Sequence, residues 1–242
     1  MHHFFVPSDA IIGESVSFPE LTGRQIQRVL RLNAGDTVVV LDNSGKMYET
    51  QLSFDGQKVT GRVTSITEAD TEPSVKIRLM ACVSQREKYE WILQKGTELG
   101  VTEFLPVISQ RTLVQKISAI DKKRSRWETI IQEAAEQSHR AKLPVLLSAL
   151  ELNNLLEQVD PQACNLVAHT DQLMKPLKTV LGDNEKPIFS LLVGPEGGFT
   201  KVEVAAAIKA GYQSVSLGKR ILRMETAALA FVNSVLFYSS SE

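Results

Sequence analysis

The chain has 242 residues, of which 43% are hydrophobic and 23% charged, and its formal net charge is -1. That composition excludes a disordered, collagen-like or coiled-coil chain, and the near-neutral balance excludes a protein-wide basic field, so any nucleic-acid contact must rest on local clusters. No apolar run approaches a membrane span, the first ten residues lack the apolar core of a signal peptide, and the expectation is a cytoplasmic protein with no membrane attachment.

The first third reads as β-rich. Residues 36–41 form a β-branched run, and the strand-like segments 47–54 and 58–66 follow it, separated by turns built on Gly45 and Gly56. Strands at this spacing predict a small β-barrel. One helix interrupts it: Thr22 and Gln25 form a candidate capping box, Ile26, Val29 and Leu30 form an apolar stripe, and Arg24, Arg28 and Arg31 lie on the other faces. The polar segment 68–74, with Pro73, marks a boundary, giving domains 1–71 and 72–242.

The remainder alternates between the two hydrophobic periods. Strands are predicted at 75–83, 101–107, 145–147, 166–168, 188–193 and 214–217. Helices are predicted at 88–99, ending at Gly100, and at 118–140, 150–159, 201–210 and 224–238. In the long helix 118–140, Trp127, Ile130, Ile131, Ala134, Ala135 and Ser138 share one face. This alternation predicts an α/β fold with a mostly parallel sheet, in which ligands bind beyond the carboxyl ends of strands. Cys82 and Cys164 show neither CxxC nor Cys/His ligand spacing, which predicts reduced thiols and no metal site.

Two strand ends carry candidate chemistry. In the first, strand 188–193 runs into Gly194-Pro195-Glu196-Gly197-Gly198-Phe199, and a Thr200/Glu203 capping box opens the next helix. The glycines permit close backbone approach. The spacing is not GxGxxG, and no Gly-Lys-Ser/Thr follows, so neither a dinucleotide fingerprint nor a P-loop is present. In the second, strand 214–217 ends at Gly218 and is followed by Lys219-Arg220-Ile221-Leu222-Arg223-Met224-Glu225. Ile221 and Leu222 suit a flat aromatic ligand, and Arg223 suits a carboxylate or a developing negative charge. Read as surface features instead, Lys219 and Arg220 form a solvated rim and Arg223 pairs with Glu225 or Glu196.

These two motifs together resemble the paired motifs of the ribosomal RNA small subunit methyltransferase E (RsmE) family. So do Gln94-Lys95-Gly96-Thr97-Glu98-Leu99-Gly100-Val101, Glu133-Ala134-Ala135-Glu136-Gln137-Ser138-His139-Arg140 and Arg28-Val29-Leu30-Arg31 with Gly35-Asp36, so the likeness spans nearly the whole chain in order. The resemblance implies an N-terminal PUA-like β-barrel and a C-terminal SPOUT domain with a deep trefoil knot. It implies a homodimer that uses S-adenosyl-L-methionine to methylate uridine N3 in the decoding region of 16S rRNA, on the small ribosomal subunit. The donor would be held by Ala168, His169, Thr170, Gly194, Glu196, Gly197, Gly198, Leu217, Gly218, Ile221, Leu222 and Met224. Arg223, with Arg140 as a second candidate, would stabilise charge on the base, and Glu225 or Glu136 would handle the proton; His139 is a further candidate base. Arg24, Arg28 and Arg31 would meet RNA. Where the family often has a His and an Arg, this chain has Gln25 and His3, which bears on RNA contact. The rival readings are a non-catalytic rRNA-binding assembly protein and a knotted enzyme with a ribose 2′-hydroxyl target.

Overall fold

The computed structural model describes residues 1–169, 174–182, 184 and 186–239. The chain divides into two compact units. The first comprises Met1–Glu72 with Gln132–Leu143, and the second Pro73–Ile131 with Pro144–Glu242.

In the first unit, β1 (His3–Phe5), β2 (Ile11–Ile12), β3 (Ser15–Ser17), β4 (Thr37–Leu41), β5 (Lys46–Asp55) and β6 (Lys58–Glu68) form one sheet in the order β1-β4-β5-β6-β3-β2. The β1–β4 pair is parallel and the others are antiparallel. The three strands expected from sequence are present, and three short ones join them. Strand alternation explains how the sheet buries both faces of β4. Val38 and Val40 enter a core with Phe4, Phe18, Ile26 and Leu52, around which the sheet curls. Val39 and Leu41 enter a second cluster with Phe5, Ala135 and Ala141, which is why residues 132–143 belong to this unit although they lie far along the chain.

The helix of this unit departs from expectation. It starts earlier, as α1 (Glu20–Arg24), behind Pro19, and no side chain caps it, so the Thr22/Gln25 capping box does not form. The chain continues as a π-helical turn, Gln25–Val29. That wider winding leaves Ile26 fully buried with Leu30 packed on the same core but turns Val29 out to 72% exposure, so the predicted stripe keeps Ile26 and Leu30 and loses Val29. Gly23 packs closely here: a Cβ would stand 3.1 Å from Val59 Cγ2, which would have to shift by a few tenths of an ångström.

The second unit carries β7 (Lys76–Cys82), α2 (Arg86–Leu99), β8 (Glu103–Ile108), α3 (Ile117–Asp121), α4 (Arg124–Gln137, whose last turns lie in the first unit), β9 (Val145–Leu146) and β10 (Leu150–Glu151). It continues with α5 (Leu152–Leu156), β11 (Cys164–Ala168), β12 (Lys175–Pro176), α6 (Leu177–Gly182), β13 (Ile188–Val193), α7 (Lys201–Lys209), β14 (Gln213–Ser216) and α8 (Met224–Ser239). The strands form one sheet, β10-β8-β7-β13-β11-β14-β12, with β9 on β8, and every pairing is parallel. Strands β7, β13 and β11 are mostly apolar and buried along most of their length, as expected where helices cover both faces of a parallel sheet. Both cysteines are free and buried, and burial pushes the Cys82 thiol up to about 12.

Two predicted helices are corrected. The long helix 118–140 breaks at Lys122 and Lys123 and ends at Gln137, with His139 at a left-handed φ of 61°. Its buried face is as expected: Trp127, Ile131, Ala134 and Ala135 are all in the core. The helix predicted at 150–159 shrinks to Leu152–Leu156, because Leu150 and Glu151 pair with Val107 and Ile108 at the sheet edge. No helix among the described residues is long and apolar enough to cross a membrane.

Candidate functional site

Strands β11, β13 and β14 lie side by side and point the same way, with Ala168 level with both Val193 and Val215. The loops after β13 and β14 therefore leave on one side of the sheet, beside the end of β11. Between these loops lies a cleft of about 1200 Å³, lined by residues of the second unit alone.

The first wall is the 194–199 loop. The Thr200 hydroxyl accepts the Glu203 N–H (3.2 Å), and Glu203 Oε2 accepts the Thr200 N–H (2.7 Å), so the predicted capping box fixes the start of α7. Gly198 has a φ of +66°, and the Gly198 N–H closes the turn onto the Pro195 carbonyl at 2.8 Å. A side chain at Gly194 would meet the buried Phe199 ring at 3.1 Å. The second wall is the segment after β14. Gly218 has a φ of +123°, and the Gly218 N–H is held by Ser216 Oγ at 3.2 Å. Ile221 stands 88% exposed, Leu222 is half-buried, and Met224 is buried at the start of α8.

Every residue named from sequence as a donor contact lines this cleft, except Thr170, which lies outside the described residues. Arg223 and Glu225 line it too. The Glu225 Oε2 atom is buried and has no hydrogen-bond partner. Glu196 pairs with Lys88 at 3.2 Å, not with Arg223, and no ion pair of Arg223 occurs among the described residues. Of the surface reading, the exposed rim of Lys219 and Arg220 is present, whereas its pairing of Arg223 with Glu196 or Glu225 is not seen among the described residues.

Arg140 and Glu136 sit elsewhere. Both belong to the first unit, and neither lines the cleft. Arg140 is buried and its guanidinium Nη2 donates to Glu72 Oε2 at 2.6 Å. Glu136 Oε1 accepts the Phe5 N–H and the Gln132 amide, each at 3.0 Å, and burial raises the Glu136 carboxyl above its ordinary range. Arg24, Arg28 and Arg31 are exposed in the first unit. Arg24 pairs with Glu20 at 2.5 Å.

His139 is likewise not a cleft residue; its ring lies 4.0 Å from that of His3. Burial, and then the nearby His139, lower His3 to about 4. A histidine with a depressed folded pKa is held neutral by the fold. Its contribution is present above its unfolded pKa of about 6.5 and is lost as pH falls towards 4. The first unit should therefore lose stability between pH 7 and pH 5, as read by amide exchange in β1 and β4, and His3→Gln should flatten that slope. An equal slope in both proteins removes His3 as its source.

Sequence reading missed one residue that lines the cleft and one that supports its glycine loop from outside. Lys88, in the first turn of α2, lines the cleft through its pair with Glu196. Arg111, on the loop after β8, donates from Nη1 to the Gly197 carbonyl at 2.7 Å. Both are about a hundred residues from the loops they hold, and no local pattern marks them.

Comparison with known proteins gives the class first. The family described as RNA methyltransferase domain matches residues 71–236. Over 240 residues the chain is 35% identical to the ribosomal RNA small subunit methyltransferase E of Synechocystis, covering 97% of this chain and 78% of that one. It is 31% identical over 238 residues to the protein of the same name from Bacillus subtilis, covering 96% and 90%. The crystal structure of the Neisseria gonorrhoeae enzyme of that name, bound to S-adenosyl methionine, superposes with a TM-score of 0.87 at 32% identity over 97% of this chain and 96% of that one. The chain belongs to the ribosomal RNA small subunit methyltransferase E family.

Proposed function

We propose that this protein transfers a methyl group from S-adenosylmethionine to N3 of a uridine in the decoding region of 16S rRNA, acting on the small ribosomal subunit in the cytoplasm. The observation that carries the reading is the cleft itself, where two glycine-bearing loops, Arg223 and Glu225 converge at the carboxyl ends of parallel strands. Family membership supports the substrate class, and the donor bound in the Neisseria relative supports the cofactor.

The residues present fit the donor. Gly198 and Gly218 hold backbone at positive φ against the cleft, where a ligand can lie on the main chain. The volume admits a molecule of nucleoside size. On this reading the donor rests on Ala168, His169 and Thr170, on 194–198 and on 217–224. The first unit forms a PUA-like RNA-binding domain that presents Arg24, Arg28 and Arg31, and the second forms a SPOUT domain whose loops are threaded as a trefoil knot. A homodimer is part of the same reading, supported by Phe237, which α8 leaves 81% exposed.

When bound, S-adenosylmethionine supplies a methyl group already activated on a sulfonium. The chain must then prepare the base. Uridine N3 is a neutral imide nitrogen with no free lone pair, so its proton has to leave for the nitrogen to attack. The unpartnered Glu225 Oε2 receives that proton. The negative charge left on O2 and O4 is met by the Arg223 guanidinium. Glu136, engaged with Phe5 and Gln132, is the weaker candidate for the proton.

The test is methyl transfer from labelled S-adenosylmethionine to small subunits from a strain lacking the gene, read by nucleoside mass spectrometry. Appearance of 3-methyluridine is expected. A methylated ribose would overturn the target, and no transfer together with no donor binding would favour a non-catalytic assembly protein.

A further inference from the structure

The 194–199 loop contains three glycines, the residues that lose most conformational freedom when fixed. Its own turn supplies one hydrogen bond, from the Gly198 N–H to the Pro195 carbonyl. A loop of this kind needs an outside support to stand in one conformation before any ligand arrives.

The loop after β8 provides it. Its base is rigid and buried: the Ser109 N–H donates to Thr112 Oγ1 at 2.9 Å, the two hydroxyls are 3.0 Å apart, and the Cys82 thiol donates to Ser109 Oγ at 3.4 Å. From this base two contacts cross to the glycine loop and its helix. The Gln110 N–H donates to Glu203 Oε1 at 2.8 Å, so a single carboxylate serves both the α7 cap and the crossing. The Arg111 Nη1 donates to the Gly197 carbonyl at 2.7 Å, and the Arg111 stem passes 3.4 Å from where a Gly197 Cβ would stand. The neighbouring Lys88–Glu196 pair is about a third exposed on both sides, which makes it the weaker tie.

We infer that Arg111 is a positioning residue for the methyl-donor site: it holds the Gly197 carbonyl so that the glycine loop is ordered in the unliganded protein. Arg111 is not among the residues that line the cleft. It lowers the entropy the loop would otherwise lose on binding, which raises donor affinity without acting on the chemical step. This inference rests on the donor reading above, and its test separates the two.

The full chain is compared with Arg111→Ala and Arg111→Lys by amide exchange without donor, by calorimetric titration with S-adenosylmethionine, and by steady-state transfer to small subunits. In Arg111→Ala, exchange at Gly198 and Phe199 should quicken. The donor Kd should rise about tenfold, as expected for loss of a charge-assisted hydrogen bond. The turnover number at saturating donor, the KM for subunits and the thermal midpoint should stay near those of the parent. Arg111→Lys should recover part of the affinity, since it keeps the charge but loses the planar fork. Unchanged loop exchange overturns the inference whether or not the protein binds the donor. A parallel fall in midpoint, turnover and affinity would make Arg111 merely structural, and a change confined to the KM for subunits would make it an RNA contact. If the parent itself binds no donor, the donor reading falls and the exchange result alone decides what Arg111 does.

Discussion

Arg223→Ala should lower the turnover number by about a hundredfold or more while leaving the fold, and any dimer, intact. Three observations set the size of that effect. Arg223 lines the cleft beside Glu225 at the mouth of α8. One carboxylate that could neutralise it, Glu196, is taken by Lys88. The side chain is exposed, so its removal leaves no buried partner behind and no core to collapse. What is lost is a cation where charge spreads over two uracil oxygens, an interaction stronger in the transition state than in the ground state. The fall should therefore appear in turnover and not in donor affinity. Arg223→Lys should retain part of the rate, because a point charge replaces a planar fork. Single-turnover transfer to small subunits is the measurement, and normal turnover in Arg223→Ala would sink the assignment.

The lining of the cleft was readable because it is local. Gly194, Gly198 and Gly218 follow apolar strands, and Thr200 with Glu203 announces a helix three residues later, so strand, loop and cap can be placed from neighbours in sequence. The long strands of both sheets were readable for the same reason. What failed was wherever a distant segment decides the outcome. The stripe of Ile26, Val29 and Leu30 presumes a regular α-helix, and the π-helical turn rotates Val29 to the surface. Leu150 and Glu151 look helical in isolation and become strand because the edge of β8 offers them hydrogen bonds. Lys88 and Arg111 reach the glycine loop only once the sheet has brought β7, β8 and β13 side by side. Arg140 shows where a local motif does not decide a role. A motif rich in charged residues attracts a catalytic reading, yet the fold uses this arginine inside the first unit.

That use of Arg140 gives the second large effect, which falls on stability. Glu72 is the hub: Glu72 Oε2 accepts from Arg140 Nη2 at 2.6 Å, while Glu72 Oε1 accepts from Arg140 Nε at 3.4 Å and from the N–H groups of Ala141 and Lys142, each at 3.2 Å. The carboxylate thus ties the end of 132–143 to the end of the segment that follows β6, beside the cluster in which Ala141 packs on Phe5 and Leu41. With the Arg140 side chain only 4% exposed, Glu72→Ala strips a buried cation of its carboxylate and should destabilise the first unit by about 3 kcal/mol. Because the chain has two units, a single melting curve is the wrong probe. Amide exchange in β4 and β5 reports the first unit directly, and those amides should lose protection while β13 keeps its own. Glu72→Gln should cost less, since its amide oxygen can still accept from the backbone. The paired change Glu72→Leu with Arg140→Met should recover much of the loss, because an apolar pair carries no desolvation penalty. That paired variant also decides what Arg140 is for: turnover that survives in it leaves Arg140 as a structural cation, whereas a stable, inactive protein would return Arg140 to the chemistry alongside Arg223.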